Sequence, residues 1–244
     1  RAIETAGGPN IGLRYGRVDA GSGDDCPKEG NLPDGAPGEN GMYGGAGGTA
    51  STEDPTPEGH LRKVFYRMGM TDEEIAEIEK ALVVTAEMYR VAMAEARPGR
   101  HEYEIAGLMQ ARALELGRQQ AFTPIVSVRG EVLHNHSYEN RLGEGDLLLM
   151  DSGAESPRFY ASDITRTFPV SGRFSDRQRA IYEIVLAAQM AVIHAASAAR
   201  DNRQMHLLAA RTIAGGLTAL GLMKGDPDDA VAVGAHALFF PHGI

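Results

Sequence analysis

Two neighbouring stretches, DLLLMDSG at residues 146–153 and YASDITRTFPV at residues 160–170, determine how this chain is interpreted. Both contain runs of aliphatic, aromatic and β-branched residues, which are typical of β-strands. The turn between them contains serine and proline, so the two strands are expected to pair as a hairpin. In that hairpin Asp151 ends the first strand and Asp163 lies in the second, and both carboxylates can point to the same face.

Two carboxylates held that close repel each other, and the pKa of one rises unless a cation lies between them. A divalent metal ion resolves the repulsion, because hard cations bind carboxylate oxygens and two such ions can share bridging carboxylates. The pattern alone leaves a second interpretation open, since acidic residues at the ends of strands are usually solvated. Asp151 and Asp163 are therefore candidate metal ligands.

A candidate catalytic histidine, His134, precedes the hairpin in the stretch EVLHNHSYEN. If this segment is extended, alternation places His134 and His136 on the same side. A histidine near a metal-bound hydroxide can orient substrate or move a proton. The alternative is that a histidine in a loop is simply solvated.

The surrounding pattern predicts an α+β fold in which helices flank short strands. A further strand is expected in TPIVSVRG at residues 123–130. Helix-capping signals and apolar periodicity predict the helices. They are expected at 60–69, from Thr71 to the Pro-Gly at 98–99, at 101–117, from Ser175 to about Arg200, and at 203–220.

Composition excludes several classes of function. The net charge of −9 gives no electrostatic support for binding nucleic acid or an anionic membrane surface. The longest apolar stretch carries Glu183, Gln189 and His194, which indicates a core helix instead of a membrane span. A single cysteine, Cys26, excludes an internal disulfide framework, and we expect a cytoplasmic protein. Residues 34–59 have no apolar periodicity and are expected to be irregular.

From about residue 78 to residue 244 the chain resembles the pita-bread metallopeptidases, aminopeptidase P in particular. The stretches that carry the resemblance are AMAEARPGRHEYEI, IVSVRGEVLHNHSYENRLGEGDLLLMDSGAE, YASDITRTFPVSGRFSDRQRAIYEIVLAAQ and ALFFPHGI. The resemblance implies a dinuclear centre, commonly of Mn²⁺ with Co²⁺ or Zn²⁺ as alternatives, held by two Asp, one His and two Glu. Such a centre hydrolyses the bond between an N-terminal residue and a proline in second position.

Carried over residue by residue, the resemblance assigns Asp151 and Asp163 to the two Asp ligands and His134 to a substrate-side histidine. His242 matches the first histidine of a His-Gly-Leu/Ile-Gly/Ser-His motif, which lines the active site, whereas the ligand is the second histidine. The turn between the two Asp is one residue longer than in the family pattern. The expected ligand His and both ligand Glu come after Ile244 in the family, so we expect three of five ligands to be missing and the chain to be inactive on its own.

Residues 2–75 resemble a different family, the class I haem peroxidases such as ascorbate peroxidase. The matching stretches are AIETAGGPNIGLRYGRVDA, CPKEGNLPDG and HLRKVFYRMGMTDEEI. No haem ligand or peroxide-activating residue of that family has a counterpart here, so haem binding is not expected. We therefore expect two parts: residues 1–75, a largely irregular peroxidase-like segment with a short helix, and residues 76–244, an incomplete pita-bread domain with an antiparallel sheet flanked by helices.

Three functions follow from these patterns. The leading one is a metal-dependent hydrolase that cleaves X-Pro peptides. The second is a haem peroxidase relative, and the third is a non-catalytic binding or dimerising protein. Apolar residues 238–240 are expected to be exposed and sheet edges to be unpaired, which makes a homo-oligomer a possible form.

Overall fold

The computed structural model describes residues 57–135, 137–197 and 199–241. Its elements, in chain order, are α1 (Pro57–Arg67), α2 (Asp72–Glu95), α3 (Glu102–Glu115), β1 (Ile125–Ser127), β2 (Leu147–Ser152), β3 (Ile164–Pro169), α4 (Asp176–Ala195), α5 (Asn202–Ala219), α6 (Pro227–Ala232) and a 3₁₀ helix (Ala235–Leu238). The strands form an antiparallel sheet in the order β1-β2-β3. The α+β expectation is confirmed in this part of the chain.

Local sequence sets the helix starts. Thr71 accepts the backbone N–H of Glu74 at 3.2 Å, and the Glu74 carboxylate accepts the N–H of Thr71 at 2.8 Å. Ser175 and Gln178 form the same reciprocal pair at the start of α4. These contacts satisfy backbone donors that the first turn of a helix leaves unpaired. Both capping boxes were predicted from the sequence and are confirmed.

The main core lies between α2, α3 and one face of the sheet. Leu148 and Met150 alternate along β2 toward this face, and both are fully buried. Their neighbours in the core include Met88, Ile105, Met109 and Val126. Because a strand alternates its side chains, Asp151 lies on the opposite face of β2. The core therefore fixes the register that presents the first candidate ligand.

Helices α4 and α5 pack around a smaller apolar cluster that includes Ala188, Ile213 and Leu217, and α6 packs against α5 through Val231. Gly216 permits the close approach of α5 to α4, since a Cβ there would lie 2.6 Å from Cγ1 of Ile184. Helix α1 contacts α4, and the ring Nε2 of His60 lies 2.8 Å from the carbonyl oxygen of Ala196.

Two expectations about this region need correction. Helix α4 ends at Ala195, not near Arg200. Of the apolar residues 238–240, Leu238 and Phe239 are exposed as expected, but Phe240 is half-buried and stacks on the His206 ring with centroids 5.1 Å apart. Phe240 avoids solvent because α5 supplies this aromatic partner. No helix in the described ranges has the length and apolar character needed to cross a membrane.

Candidate metal centre

The β2–β3 hairpin brings the two candidate ligands together. Asp151 pairs with Thr165 across the hairpin, and Ser152 pairs with Ile164, the residue after Asp163. Thr165 and Asp163 lie two residues apart, so both point to the face that carries Asp151. The Asp163 carboxyl is near enough to act on Asp151 by both hydrogen bonding and charge. The predicted juxtaposition of the two carboxylates is present.

The electrostatics of Asp151 are those of a half-buried acid beside a second acid. Burial is the largest cause that raises the pKa of Asp151, and the adjacent Asp163 raises it further, to about 6. The Thr165 hydroxyl and the charge of His134 act in the opposite direction. Among the described residues Asp151 Oδ1 is buried and has no hydrogen-bond partner. A carboxylate oxygen left in that state favours either a proton or a cation.

Two paired carboxylates with one unsatisfied oxygen fit a hard divalent cation, which takes oxygen ligands. The fit is partial, because no group of three or more His, Cys, Asp or Glu suited to a metal occurs within residues 57–135, 137–197 and 199–241. The described part of the chain thus offers two neighbouring carboxylates as candidate ligands.

The hairpin is held in shape by a buried polar network beneath the turn that precedes Asp163. The Thr85 hydroxyl on α2 lies 2.7 Å from the Ser162 hydroxyl, and both accept the backbone N–H of Ala154, at 2.8 and 3.1 Å. At Gly153 a Cβ would lie 1.6 Å from the carbonyl oxygen of Ser162. Glycine is therefore required where the two strands meet beside the carboxylates.

Tyr89 of α2 supports the same hairpin from the core side. Its hydroxyl donates to the carbonyl oxygen of Met150, at 3.1 Å, and to that of Ile164. Burial raises the pKa of Tyr89, and the negative charge of Asp151 adds to that effect. The hydroxyl therefore stays protonated and joins β2 to β3.

His134 is exposed and follows β1 through a turn at Gly130 and Glu131. Its charge acts on Asp151, so the structure brings this predicted residue toward the carboxylate pair. Residues 132–134 form bends, so the condition for His134 and His136 to share a side, an extended segment, is not met up to His134. His136 and His242 lie outside the described residues.

Sequence reasoning missed Glu102, a fully buried carboxylate at the start of α3. It accepts hydrogen bonds from the backbone of Val128 and from the backbone and side chain of Asn140. Its burial had no local signal, because acidic residues in the first turn of a helix are ordinarily solvated and favourable there.

Comparison with known proteins identifies relatives of this chain. The model of metallopeptidase family M24 matches residues 76–244. The Xaa-Pro aminopeptidase of Escherichia coli is 36% identical over 188 residues, which cover 75% of this chain and 42% of the relative. The Xaa-Pro aminopeptidase of Haemophilus influenzae is 36% identical over 181 residues, 73% of this chain and 42% of the relative.

Solved structures give the same result. A variant of Escherichia coli aminopeptidase P in complex with substrate superposes with a TM-score of 0.68 at 36% identity, covering 73% of this chain and 41% of that one. Proline aminopeptidase P II from Yersinia pestis gives a TM-score of 0.68 at 37% identity, covering 77% and 42%. The chain thus spans about two fifths of the length of these relatives. Because the family model matches most of the chain and these structures superpose on it, the chain belongs to metallopeptidase family M24.

Proposed function

We propose that this chain is part of a metal-dependent aminopeptidase that removes the N-terminal residue from peptides with proline in second position. The observation that carries the proposal is the Asp151–Asp163 pair, with its buried and unsatisfied oxygen, on an M24 fold. The relatives named Xaa-Pro aminopeptidase support the substrate class.

Asp151 and Asp163 would hold a divalent metal, with Mn²⁺ proposed and Co²⁺ or Zn²⁺ as alternatives. When bound, such a metal lowers the pKa of a coordinated water and polarises the scissile carbonyl. Thr165 donates to Asp151 and keeps that carboxylate oriented. For His134, which acts on Asp151 through its charge, the proposed role is to contact the peptide and to hold or move a proton at its imidazole nitrogens. His242 is proposed as a second substrate-side histidine.

These 244 residues supply two of the five ligands that the family resemblance implies. Two carboxylates hold a divalent ion weakly, so we expect turnover only when the remaining His and Glu ligands are supplied. The domain boundary near residue 75 and the cytoplasmic location are part of the same proposal. The net charge of −9 gives no support for binding nucleic acid, and no such partner is proposed.

The test is release of the N-terminal residue from a synthetic X-Pro peptide, with and without Mn²⁺. It is run on this chain and on the same chain joined to the remaining part of an M24 domain. We expect Mn²⁺-dependent release in the lengthened chain, and its loss in the Asp151→Asn variant. A lengthened, folded chain that binds Mn²⁺ but cleaves neither an X-Pro peptide nor a control X-Ala peptide would refute the proposed activity.

The peroxidase-like assignment of residues 2–75 stays a prediction, because residues 1–56 lie outside the described part of the chain. No haem ligand of that family has a counterpart in the sequence, so haem binding is not proposed. A Soret band on addition of haem would support the peroxidase-like assignment. The third function, binding without catalysis, is favoured if this chain binds Mn²⁺ and the lengthened chain still has no turnover. A homo-oligomer is also proposed, because Leu238 and Phe239 are exposed apolar side chains. Sedimentation of the purified chain measures its oligomeric state.

A further inference from the structure

Glu102 is a buried carboxylate whose partners lie far along the chain. Its side chain is fully buried. Oε1 accepts the backbone N–H of Val128 at 2.8 Å and the Asn140 amide at 3.1 Å, while Oε2 accepts the same amide at 3.0 Å and the Asn140 backbone N–H at 3.4 Å. Within the described residues it forms no ion pair. The contacts join α3 to two points 26 and 38 residues away.

Burying a charge without a cation is costly unless hydrogen bonds replace the lost hydration. Four contacts from N–H donors do so here, and the start of α3 adds the favourable field of a helix N-terminus. An apolar residue would fill this space without that cost. The presence of a carboxylate here is explained by the two segments, at Val128 and Asn140, to which its hydrogen-bond donors belong.

The donors are the two ends of one loop. Val128 directly follows β1, and Asn140 closes the segment that returns to the start of α3. The backbone extends the attachment, because Glu102 N–H donates to the Asn140 carbonyl at 3.0 Å and Tyr103 N–H donates to the Tyr138 carbonyl at 3.0 Å. Val128 and Asn140, which flank the segment that contains His134, therefore meet at one carboxylate.

We propose that Glu102 is a positioning residue that closes this loop and so keeps His134 beside Asp151. The inference rests on the proposed function, in which His134 faces the substrate. His134 is exposed, and the bends at residues 132–134 lie between the two ends that Glu102 joins. Glu102 acts through these ends and has no direct contact with the carboxylate pair.

The experiment compares Glu102→Gln with Glu104→Gln in the 244-residue chain. Gln keeps the size of the side chain but replaces one acceptor with a donor that faces the donors of Val128 and Asn140. Glu104 lies in the same first turn and accepts the His101 N–H at 2.8 Å, a contact that glutamine preserves. Glu104→Gln is therefore a matched control for charge removal at this helix end.

Two readouts are recorded by NMR. The first is amide hydrogen exchange of residues 128–140, which we expect to become at least about tenfold faster in Glu102→Gln and to stay unchanged in Glu104→Gln. The second is the line broadening that added Mn²⁺ causes. It is measured at the ring protons of His134 and compared with the broadening at the backbone amide of Ser152, next to Asp151. We expect broadening at both places in the unaltered chain. In Glu102→Gln we expect it at Ser152 alone.

A polarity swap provides the rescue. In Glu102→Gln combined with Asn140→Asp, the glutamine carbonyl accepts the Val128 N–H and its amide donates to Asp, so loop protection and His134 broadening are expected to return. Asn140→Ala removes only the amide of an exposed residue and gives a folded variant if Glu102→Gln does not fold; it is expected to loosen the loop to a smaller extent.

The outcomes separate the two proposals. Equal His134 broadening in all folded variants, or equal loosening in Glu102→Gln and Glu104→Gln, overturns the positioning role. No broadening at Ser152 in the unaltered chain removes the metal ligands of the proposed function. The exchange rates alone then decide whether Glu102 closes the loop.

Discussion

Replacing Gly153 with alanine is expected to open the hairpin that carries Asp151 and Asp163. A Cβ at this position would lie 1.6 Å from the carbonyl oxygen of Ser162, less than half of an ordinary 3.4 Å contact, and 2.5 Å from the carbonyl carbon. Both atoms are backbone, so no side-chain rotation removes the clash. The strands must separate instead.

Separation breaks contacts on both sides of the site. The Ser162 N–H donates to the Ala154 carbonyl at 2.9 Å, and the Ala121 N–H donates to the Gly153 carbonyl at 2.9 Å. Overpacking alone costs about 1–3 kcal/mol, and the loss of these buried hydrogen bonds adds to it. We expect the free energy of unfolding to fall by at least about 3 kcal/mol.

Urea unfolding followed by circular dichroism measures this change, with Gly107→Ala as the matched control. Gly107 lies inside α3 and an added Cβ would meet open space. That variant is expected to gain about 0.5–1 kcal/mol, since alanine is the better helix residue. A Gly153→Ala chain whose free energy of unfolding stays within about 1 kcal/mol of that of the unaltered protein, with an unchanged slope, would refute the described strand contact.

Three further variants probe the same region. In metal-free protein Asp151→Asn removes the pH dependence that Asp151 causes. The folded pKa of Asp151 is raised from 3.8 to about 6, so its stabilising contribution is fully present below about pH 4 and is lost as pH rises from there through about 6, by about 1 kcal/mol after solvent screening is allowed for. Urea unfolding in a chelator at about pH 4 and about pH 8 measures this loss, and an unchanged profile argues against the burial of Asp151. Tyr89→Phe removes the hydroxyl that bonds both strands and is expected to cost about 1–2 kcal/mol in thermal or urea unfolding, whereas a neutral effect would mean that these bonds do not hold the hairpin. Phe159 is 80% exposed with φ of 64°, so Phe159→Asn is expected to stabilise by up to about 1 kcal/mol, and a destabilised variant would contradict the left-handed turn.

Local patterns predicted the parts of the fold that neighbouring residues determine. The capping residue Thr71 and the alternation of Leu148 with Met150 act over a few positions, and the structure has the helix start and the strand faces that they indicate. The end of α4 was predicted too late, because no glycine or proline lies between Ala195 and Arg200. A tertiary contact, the His60 ring at the Ala196 carbonyl, accompanies the actual end.

The site was predicted to a similar extent. Asp151 and Asp163 lie in one hairpin, so the spacing along the chain was enough to bring them together. Glu102 was not predictable in this way, since its burial depends on donors from Val128 and Asn140, which the sequence separates from it by a helix, a strand and a loop. The position that we propose for His134 rests on the same contacts.

The ligand role of Asp151 and Asp163 is decided by a Mn²⁺ titration of the purified chain, followed by electron paramagnetic resonance of the free ion. Asp146→Asn is the control, because Asp146 belongs to the same hairpin but accepts the Gly143 N–H at 2.8 Å, a contact that asparagine keeps. We expect weak, saturable binding in the unaltered chain and in Asp146→Asn, and at least about tenfold weaker binding in Asp151→Asn and in Asp163→Asn. Equal Mn²⁺ affinity in all four proteins would contradict the assignment of the metal centre to this hairpin.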